Sequence, residues 1–445
     1  MSVELLDTLM GHEDRVWHAA WSACGRWLAT CGGDRTIRIW APLIPRPRTV
    51  TQMVDGVMTK QVHEAPPPSL ERWSCVARLK THLHQRTVRA VAWRHCGRFL
   101  VSVAFDASMV LWQRTSDTSN EWTPVIEIEQ EGHGAEIKSV AWSPDGSFLA
   151  TCSRDKRVIV WAFCENPLEL EIASDLYGHG QDVKHVAWVD LPAEGESSQC
   201  LVSSSYDDTI MVWRLRGDDF ECTGVLKGHK STVWATAALS GSRIASVSDD
   251  LSLRIWEPAP SQDLGSPFIS KQTISQAHSR PIYSVSHCAL PAAIPLDAFV
   301  ARHAPGQVPP ADVVRLGPAI DAAAVGTLAA ADDPPQHEGE DVVMGDAGDT
   351  GPVAEAPGPA SAIIGLVATG AGDNAVGLFA EMDNGTVVPL RRHGRAHSLE
   401  LNSVAFRPLL RPDLAARIPG LVDPQQVVLA TASDDGTIRI WRVSL

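Results

Sequence analysis

HGAEIKSVAWSPDGSFLATCSRDKRVIVW, residues 133–161, holds the pattern on which the chain is built. It opens on His133, places Thr151 four residues before Asp155, and closes on Trp161 six residues after that aspartate. Between these landmarks IKSVAW, FLATCS and RVIVW are rich in β-branched and aromatic residues, and SPDG turns the chain between the first two. The stretch therefore reads as short antiparallel strands. Arg154 stands beside the aspartate with no structural task that the pattern assigns, and its purpose is a question for the rest of the chain.

The landmarks recur along the sequence, the hydroxyl and the aromatic at fixed offsets from the aspartate. The histidines are His12, His84, His133, His179, His229, His278 and His397, and the aspartates are Asp34, Asp106, Asp155, Asp207, Asp250, Asp373 and Asp435. A hydroxyl precedes each aspartate by four residues, at Thr30, Ser102, Thr151, Ser203, Ser246, Thr369 and Thr431. An aromatic follows each by six, at Trp40, Trp112, Trp161, Trp213, Trp256, Phe379 and Trp441. Units of this kind resemble the WD40 repeat, and seven of them imply an all-β, seven-bladed WD40 β-propeller formed by residues 1–445 as one domain. Because the repeat straddles blades, the terminal TIRIWRVSL lacks an outer strand that the N-terminal SVELLDTL can supply, closing the ring without an open edge.

Imidazole, hydroxyl and carboxylate are also the parts of a catalytic triad. A nucleophile is needed once, in a cleft, whereas a scaffold needs its lock in every blade. The sevenfold repetition argues for a buried hydrogen-bonded chain in which aspartate orients histidine, histidine reaches the hydroxyl and the hydroxyl meets the indole N–H. Blade six, with Phe379 in place of tryptophan, loses the last donor and is expected to be the soft one.

Composition narrows the function. The 445 residues are 44% hydrophobic and carry a formal charge of -15, which points away from nucleic acid. The N-terminus MSVELLDTLMGHEDRVW lacks the features of a signal peptide, and no run approaches the ~18 apolar residues of a membrane span, so the expected compartment is cytosol or nucleus. Nine cysteines lie scattered without a C-x-x-C pair and read as reduced thiols, so no metal and no cofactor is expected.

Two insertions interrupt the rhythm. Residues 42–71 fall between the third and fourth strands of blade one, and residues 291–361 between the first and second strands of blade six. The second is rich in Ala, Pro, Gly and Asp and carries eleven acidic residues against two arginines, a composition expected to be disordered. Smaller expansions at Leu191–Gln199 and Pro408–Gln426 also fall between first and second strands. All four emerge at one end of the blades, which leaves the His/Asp end, the top, as the better binding surface.

Register reads the top mouth: each innermost strand starts four residues beyond its histidine, and the next residue points to the mouth. In blade order these are Trp17, Arg89, Lys138, Lys184, Trp234, Tyr283 and Asn402. Arg154 adds a further cation on blade three, so a basic patch stands among large rings on an acidic protein. Arginine, tryptophan and tyrosine are enriched at binding hot spots, and clustered cations beside aromatics suit an acidic peptide or a free C-terminus. The bland alternative is that these cations are merely paired, with Glu136 or Asp182.

Several segments are more distinctive than the repeat. HQRTVRAVAW (84–93), FDAS (105–108), EIKSVAWSPDGSFLATCSRDKRVIVW (136–161), QDVKHVAW (181–188), SSYDDTIMVW (204–213) and STVW (231–234) closely resemble the WD40 subunit of the cytosolic iron-sulfur protein assembly machinery. The resemblance is strong from His84 to Trp256, fair over CGGDRTIRIW (31–40) and weaker after Lys271. It implies a non-enzymatic adaptor in a late targeting complex, joining a small MIP18-type subunit and a helical-repeat scaffold subunit. Such an adaptor helps deliver 4Fe-4S clusters to cytosolic and nuclear apoproteins. Some clients or adaptors of that family end in an apolar residue, an acidic residue and a C-terminal aromatic, which matches the ligand read from the top face; Arg154, in the family's SRDK motif, is then a binding residue. The alternative, a substrate receptor of a ubiquitin ligase, commonly carries Trp-Asp-x-Arg. Here the residues after the seven aromatics are Ala41, Gln113, Ala162, Arg214, Glu257, Ala380 and Arg442, none of them aspartate.

Overall fold

The third unit folds as its sequence dictates. Ile137–Trp142 alternates buried and half-buried residues, Phe148–Ser153 is almost wholly buried, and Val158–Glu165 and the outer Leu168–Leu176 complete a four-stranded antiparallel sheet. The turn Ser143–Gly146 joins the first two strands: Gly146 takes φ 72°, where a side chain is strained, and its N–H donates to the Ser143 carbonyl at 2.9 Å. The Ser143 hydroxyl in turn accepts the Phe148 N–H at 2.9 Å.

A computed structural model describes the chain apart from residues 44–47, 55–56, 64–71, 117–118, 130, 191–198, 261–266, 296–361 and 410–425. It contains seven four-stranded sheets, the blades of a β-propeller, and one separate hairpin. The innermost strands are Val16–Trp21, Val88–Trp93, Ile137–Trp142, Val183–Asp190, Val233–Leu239, Ile282–Pro295 and Leu401–Phe406, and the last packs against the first to close the ring. The N-terminal Ser2–Leu9 pairs antiparallel with Ile438–Ser444 and becomes the outer strand of blade seven, as the repeat requires. Apolar clusters fill the spaces between successive sheets, for example Ala29, Ile39, Val91 and Leu100 between blades one and two. Burial of such side chains at roughly 25 cal/mol per Å² is the main stabilising contribution.

The hydrogen-bonded lock is present with its full complement in five blades. In blade three His133 Nδ1 lies 2.9 Å from Asp155, His133 Nε2 lies 2.9 Å from the Thr151 hydroxyl, and Trp161 Nε1 donates to that hydroxyl at 2.9 Å. The same links join His12, Asp34, Thr30 and Trp40 in blade one. They recur around His179 and Asp207, His229 and Asp250, and His397 and Asp435. In each the hydroxyl oxygen accepts from the indole and donates to Nε2, so Nδ1 carries the proton that the aspartate accepts. Blade two departs from expectation: His84 Nδ1 meets the Ser108 hydroxyl at 2.7 Å, and Asp106 acts through Ser108 rather than touching the histidine. Blade six keeps His278, Asp373 and Thr369, but buried Phe379 offers Thr369 no donor.

Blade one's third strand ends at Pro42 and its fourth starts at Trp73, and between them Arg48–Val54 pairs with Val57–His63 as a hairpin rather than a plain loop. Blade six's inner strand extends through residues 291–295 to Pro295, and its second strand starts at Ala362; the disorder expected of 296–361 lies outside the described residues. In an antiparallel blade the first-to-second and third-to-fourth connections share one end, the lower one, while the aspartate turns share the other.

Candidate functional site

The top mouth is built by a repeated irregularity of the inner strands. In blades one, two, three, four, five and seven the pairing register slips between the first and third strand residues, as between Ile137 and Ser139. The residue caught in the slip is Trp17, Arg89, Lys138, Lys184, Trp234 or Asn402. A β-bulge frees one side chain from the ladder and re-aims it, which is why this register supplies the mouth. With Tyr283 of blade six, all seven are half-buried.

The structure brings most of them into contact. Arg89 lies over the Trp17 ring at 5.3 Å, and Trp17 packs on Phe105 at 6.2 Å. Lys138 Nζ sits 4.3 Å from the Phe105 centroid. Lys184 Nζ lies 5.1 Å from both Tyr206 and Trp234, and Trp234 meets Tyr283 edge-on at 5.3 Å. Trp234 Nε1 also donates to Asp249. Burial, then the charges of Glu400 and Asp249, push the Tyr283 hydroxyl up to about 12, so it stays a neutral donor. Asn402 belongs to the closure of the ring: its amide donates to the Val16 carbonyl at 3.0 Å and to Asp434 at 2.7 Å.

Beside the mouth a cleft of about 620 Å³ opens between blades two and three, lined by Arg86, Phe105, Asp106, Ala107, Gly134, Ala135, Glu136 and Arg154. Arg154 is one of its walls, with its side chain 61% exposed. The pairing weighed as the bland alternative is present. Glu136 accepts from Lys138 at 3.0 Å and Arg86 at 3.1 Å and lies 3.4 Å from Arg154, while Lys184 is 3.5 Å from Asp182. Burial raises the Glu136 carboxyl, but the hydrogen bond and charge of Lys138, joined by Arg86 and Arg154, outweigh it and hold the group below its ordinary value. One carboxylate thus serves three cations, and the guanidiniums keep donors to spare. The arrangement suits a carboxylate beside an apolar or aromatic group.

Arg86 and Phe105 escaped the reading by register. Phe105 occupies in blade two the position that Arg154 occupies in blade three, immediately before the aspartate, and Tyr206 is its counterpart in blade four. Reading that second register around the ring finds all three. Deeper in the channel His18 and His185 each accept a backbone N–H of the next blade, Val91 and Thr236, both at 3.4 Å. Burial and the nearby Arg89 charge lower their pKa values to about 3 and about 4, so both are neutral acceptors. Among the described residues no group of three or more His, Cys, Asp or Glu is placed to hold a metal ion, and no disulfide joins any two of the cysteines.

A family model described as WD domain, G-beta repeat matches residues 3–41, 73–113, 123–162, 171–214, 220–257 and 417–442. Among curated proteins, the chain is 40% identical over 296 residues to the probable cytosolic iron-sulfur protein assembly protein Ciao1 of Culex quinquefasciatus, covering 64% of this chain and 76% of that one. It is 38% identical over 290 residues to the CIAO1 homologue of Ixodes scapularis, covering 65% and 78%. It is 33% identical over 337 residues to the probable cytosolic iron-sulfur protein assembly protein 1 of Vanderwaltozyma polyspora, covering 64% and 79%.

Proposed function

The chain belongs to the WD40-repeat family and, within it, to the cytosolic iron-sulfur protein assembly proteins of the Ciao1 kind, and from that membership we infer that it is a non-enzymatic adaptor of cytosolic iron-sulfur protein assembly. Its hydroxyl, imidazole and carboxylate sets are buried and repeated in every blade, which suits a scaffold rather than a catalyst. In this reading it works in the cytosol, with access to nuclear clients, and its partners are other components of the assembly machinery. These are a small MIP18-type subunit, a helical-repeat scaffold subunit and the apoproteins that receive 4Fe-4S clusters. Neither membrane nor nucleic acid is a direct partner.

Clients or their adaptors dock on the top face through acidic, aromatic C-terminal tails, using Arg154, Arg89, Lys138, Lys184, Trp17, Trp234 and Tyr283, to which the geometry adds Arg86 and Phe105. The observation that carries this reading is the cleft where Arg86, Arg154 and Lys138 converge beside Phe105. Affinity capture from cell extract, with mass spectrometry of the bound proteins, tests it. Wild-type protein is expected to retain iron-sulfur apoproteins that Arg154→Glu loses. Equal recovery by both would remove the top face from client binding.

A further inference from the structure

The cleft between blades two and three contains a carboxylate of its own. Glu136 Oε1 accepts from Arg86 at 3.1 Å, and Oε2 accepts from Lys138 at 3.0 Å and lies 3.4 Å from Arg154 Nη1. These contacts are unequal. Glu136 and Lys138 are shielded, with side chains 14% and 16% exposed, whereas Arg86 stands at 57% and Arg154 is more open still. A charge-assisted N–H···O bond is normally 2.7–2.9 Å, so the Arg154 contact is a loose one. Arg86 spends Nη1 on the Phe105 carbonyl at 2.8 Å and Nη2 on Glu136, and Arg154 engages Glu136 through Nη1.

The charges nearly balance. Arg86, Lys138 and Arg154 give three positive charges, and Glu136 and Asp106 two negative ones. Asp106 is committed to its own loop, where it accepts the Gln85, Arg86 and Ser108 N–H groups. Glu136 has no such backbone commitment; its three contacts are all to cations.

We propose that Glu136 is a resident carboxylate: in the free protein it occupies guanidinium donors that a ligand carboxylate takes over, and its charge limits the cleft to one incoming negative charge. This rests on the top-face reading above and deepens it. On binding, Arg154 and part of Arg86 pass from Glu136 to the ligand, while the shielded Lys138 remains with Glu136. A single carboxylate then brings the local charge to zero, and the other carboxylate of an acidic tail is left to the cations of the mouth, Arg89 and Lys184. A phosphate dianion leaves it negative beside Glu136 and Asp106 and is rejected. Glu136 therefore sets both the affinity and the charge selectivity of the site.

The test uses the full chain at about pH 8, where inorganic phosphate is mostly the dianion, and a short peptide with an acidic residue before a C-terminal tryptophan, titrated in its free-acid form, with phosphate as competitor. Glu136→Gln removes the competing charge and is expected to tighten peptide binding several-fold and to let phosphate compete, which it does not do against wild type. Glu136→Asp keeps the charge but draws the carboxylate back from Arg154, and is expected to tighten binding more modestly; it carries the test if the glutamine variant does not fold. Binding unchanged in these variants, or weakened in them as far as in Arg154→Glu, overturns the proposal. A wild-type chain that fails to bind the peptide, or an Arg154→Glu chain that binds it normally, instead overturns the top-face reading and takes this proposal with it.

Discussion

The seam between blades one and two differs from the seam between blades two and three in what holds it. At the first, His18 accepts the Val91 N–H, Trp93 Nε1 donates to the Ala20 carbonyl at 3.0 Å, and Trp27 stacks on Trp93 at 6.2 Å. At the second, Ala90 stands where blade one has His18 and offers no side-chain acceptor, and buried Trp142 Nε1 has no partner among the described residues. Charged contacts replace the neutral ones: Arg86 with Glu136 at the top, and Arg94 and Arg98 with Glu165, both at 2.9 Å, at the bottom. An apolar cluster including Val101, Leu111, Ile137 and Leu149 still spans this seam. Neutral, satisfied bonds give a closed joint; ion pairs at the rims leave a cleft whose donors are shared loosely enough to be reassigned. The second kind of joint is where a propeller can bind.

Acid should attack the first seam specifically. Buried His18 has a folded-state pKa of about 3 against an ordinary 6.5, so as pH falls the unfolded chain takes the proton first. The stability His18 contributes is full above pH 6.5 and is lost as pH drops toward its folded value. At pH 5 the loss is on the order of 2 kcal/mol. His18→Asn keeps an acceptor for Val91 without a titrating group, and denaturant unfolding between pH 7.5 and 5 should show a shallower decline than wild type. An identical decline would remove His18 from the joint.

A smaller effect separates two tryptophans in equivalent positions. Trp93→Phe deletes a satisfied indole hydrogen bond, whereas Trp142→Phe deletes an N–H that meets no acceptor among the described residues. Both lose ring volume. Thermal unfolding should therefore find Trp93→Phe the worse by about 1 kcal/mol. Equal costs would mean that the two seams are bonded alike.

The comparison also marks what a sequence displays. Landmark spacing shows the blades, the lock and the closing N-terminal strand, because each depends on a residue type at a fixed offset. The bulged mouth position was legible for the same reason. Other features depend on small displacements that identical residue types do not encode. Ser252 follows Asp250 by two residues as Ser108 follows Asp106, yet His229 meets Asp250 directly at 2.8 Å whereas in blade two the hydroxyl steps between aspartate and histidine. Trp142 looks like Trp93 and Trp188 in sequence, but Trp188 Nε1 reaches the Ala141 carbonyl at 3.1 Å and Trp142 Nε1 meets no acceptor among the described residues. The gathering of three cations on Glu136 is of this kind, because Arg86 and Arg154 come from different blades.

The central claim is that, of two neighbours on blade three, Arg154 recognises and Asp155 folds. Asp155 is held well below the usual carboxylate range: burial opposes this, but the hydrogen bond from His133 and the Arg157 and Gly134 N–H groups prevail. Arg154 has one long side-chain contact and an exposed guanidinium. The decisive measurement is peptide titration and thermal unfolding on wild type, Arg154→Glu and Asp155→Ala, using the acidic peptide with a C-terminal tryptophan. Arg154→Glu should lose at least about 10-fold in affinity, ~1.4 kcal/mol, while unfolding within about 0.5 kcal/mol of wild type. Asp155→Ala should lose roughly 1–3 kcal/mol of stability. An Arg154→Glu protein that binds as wild type does, or that unfolds as early as Asp155→Ala, contradicts the claim.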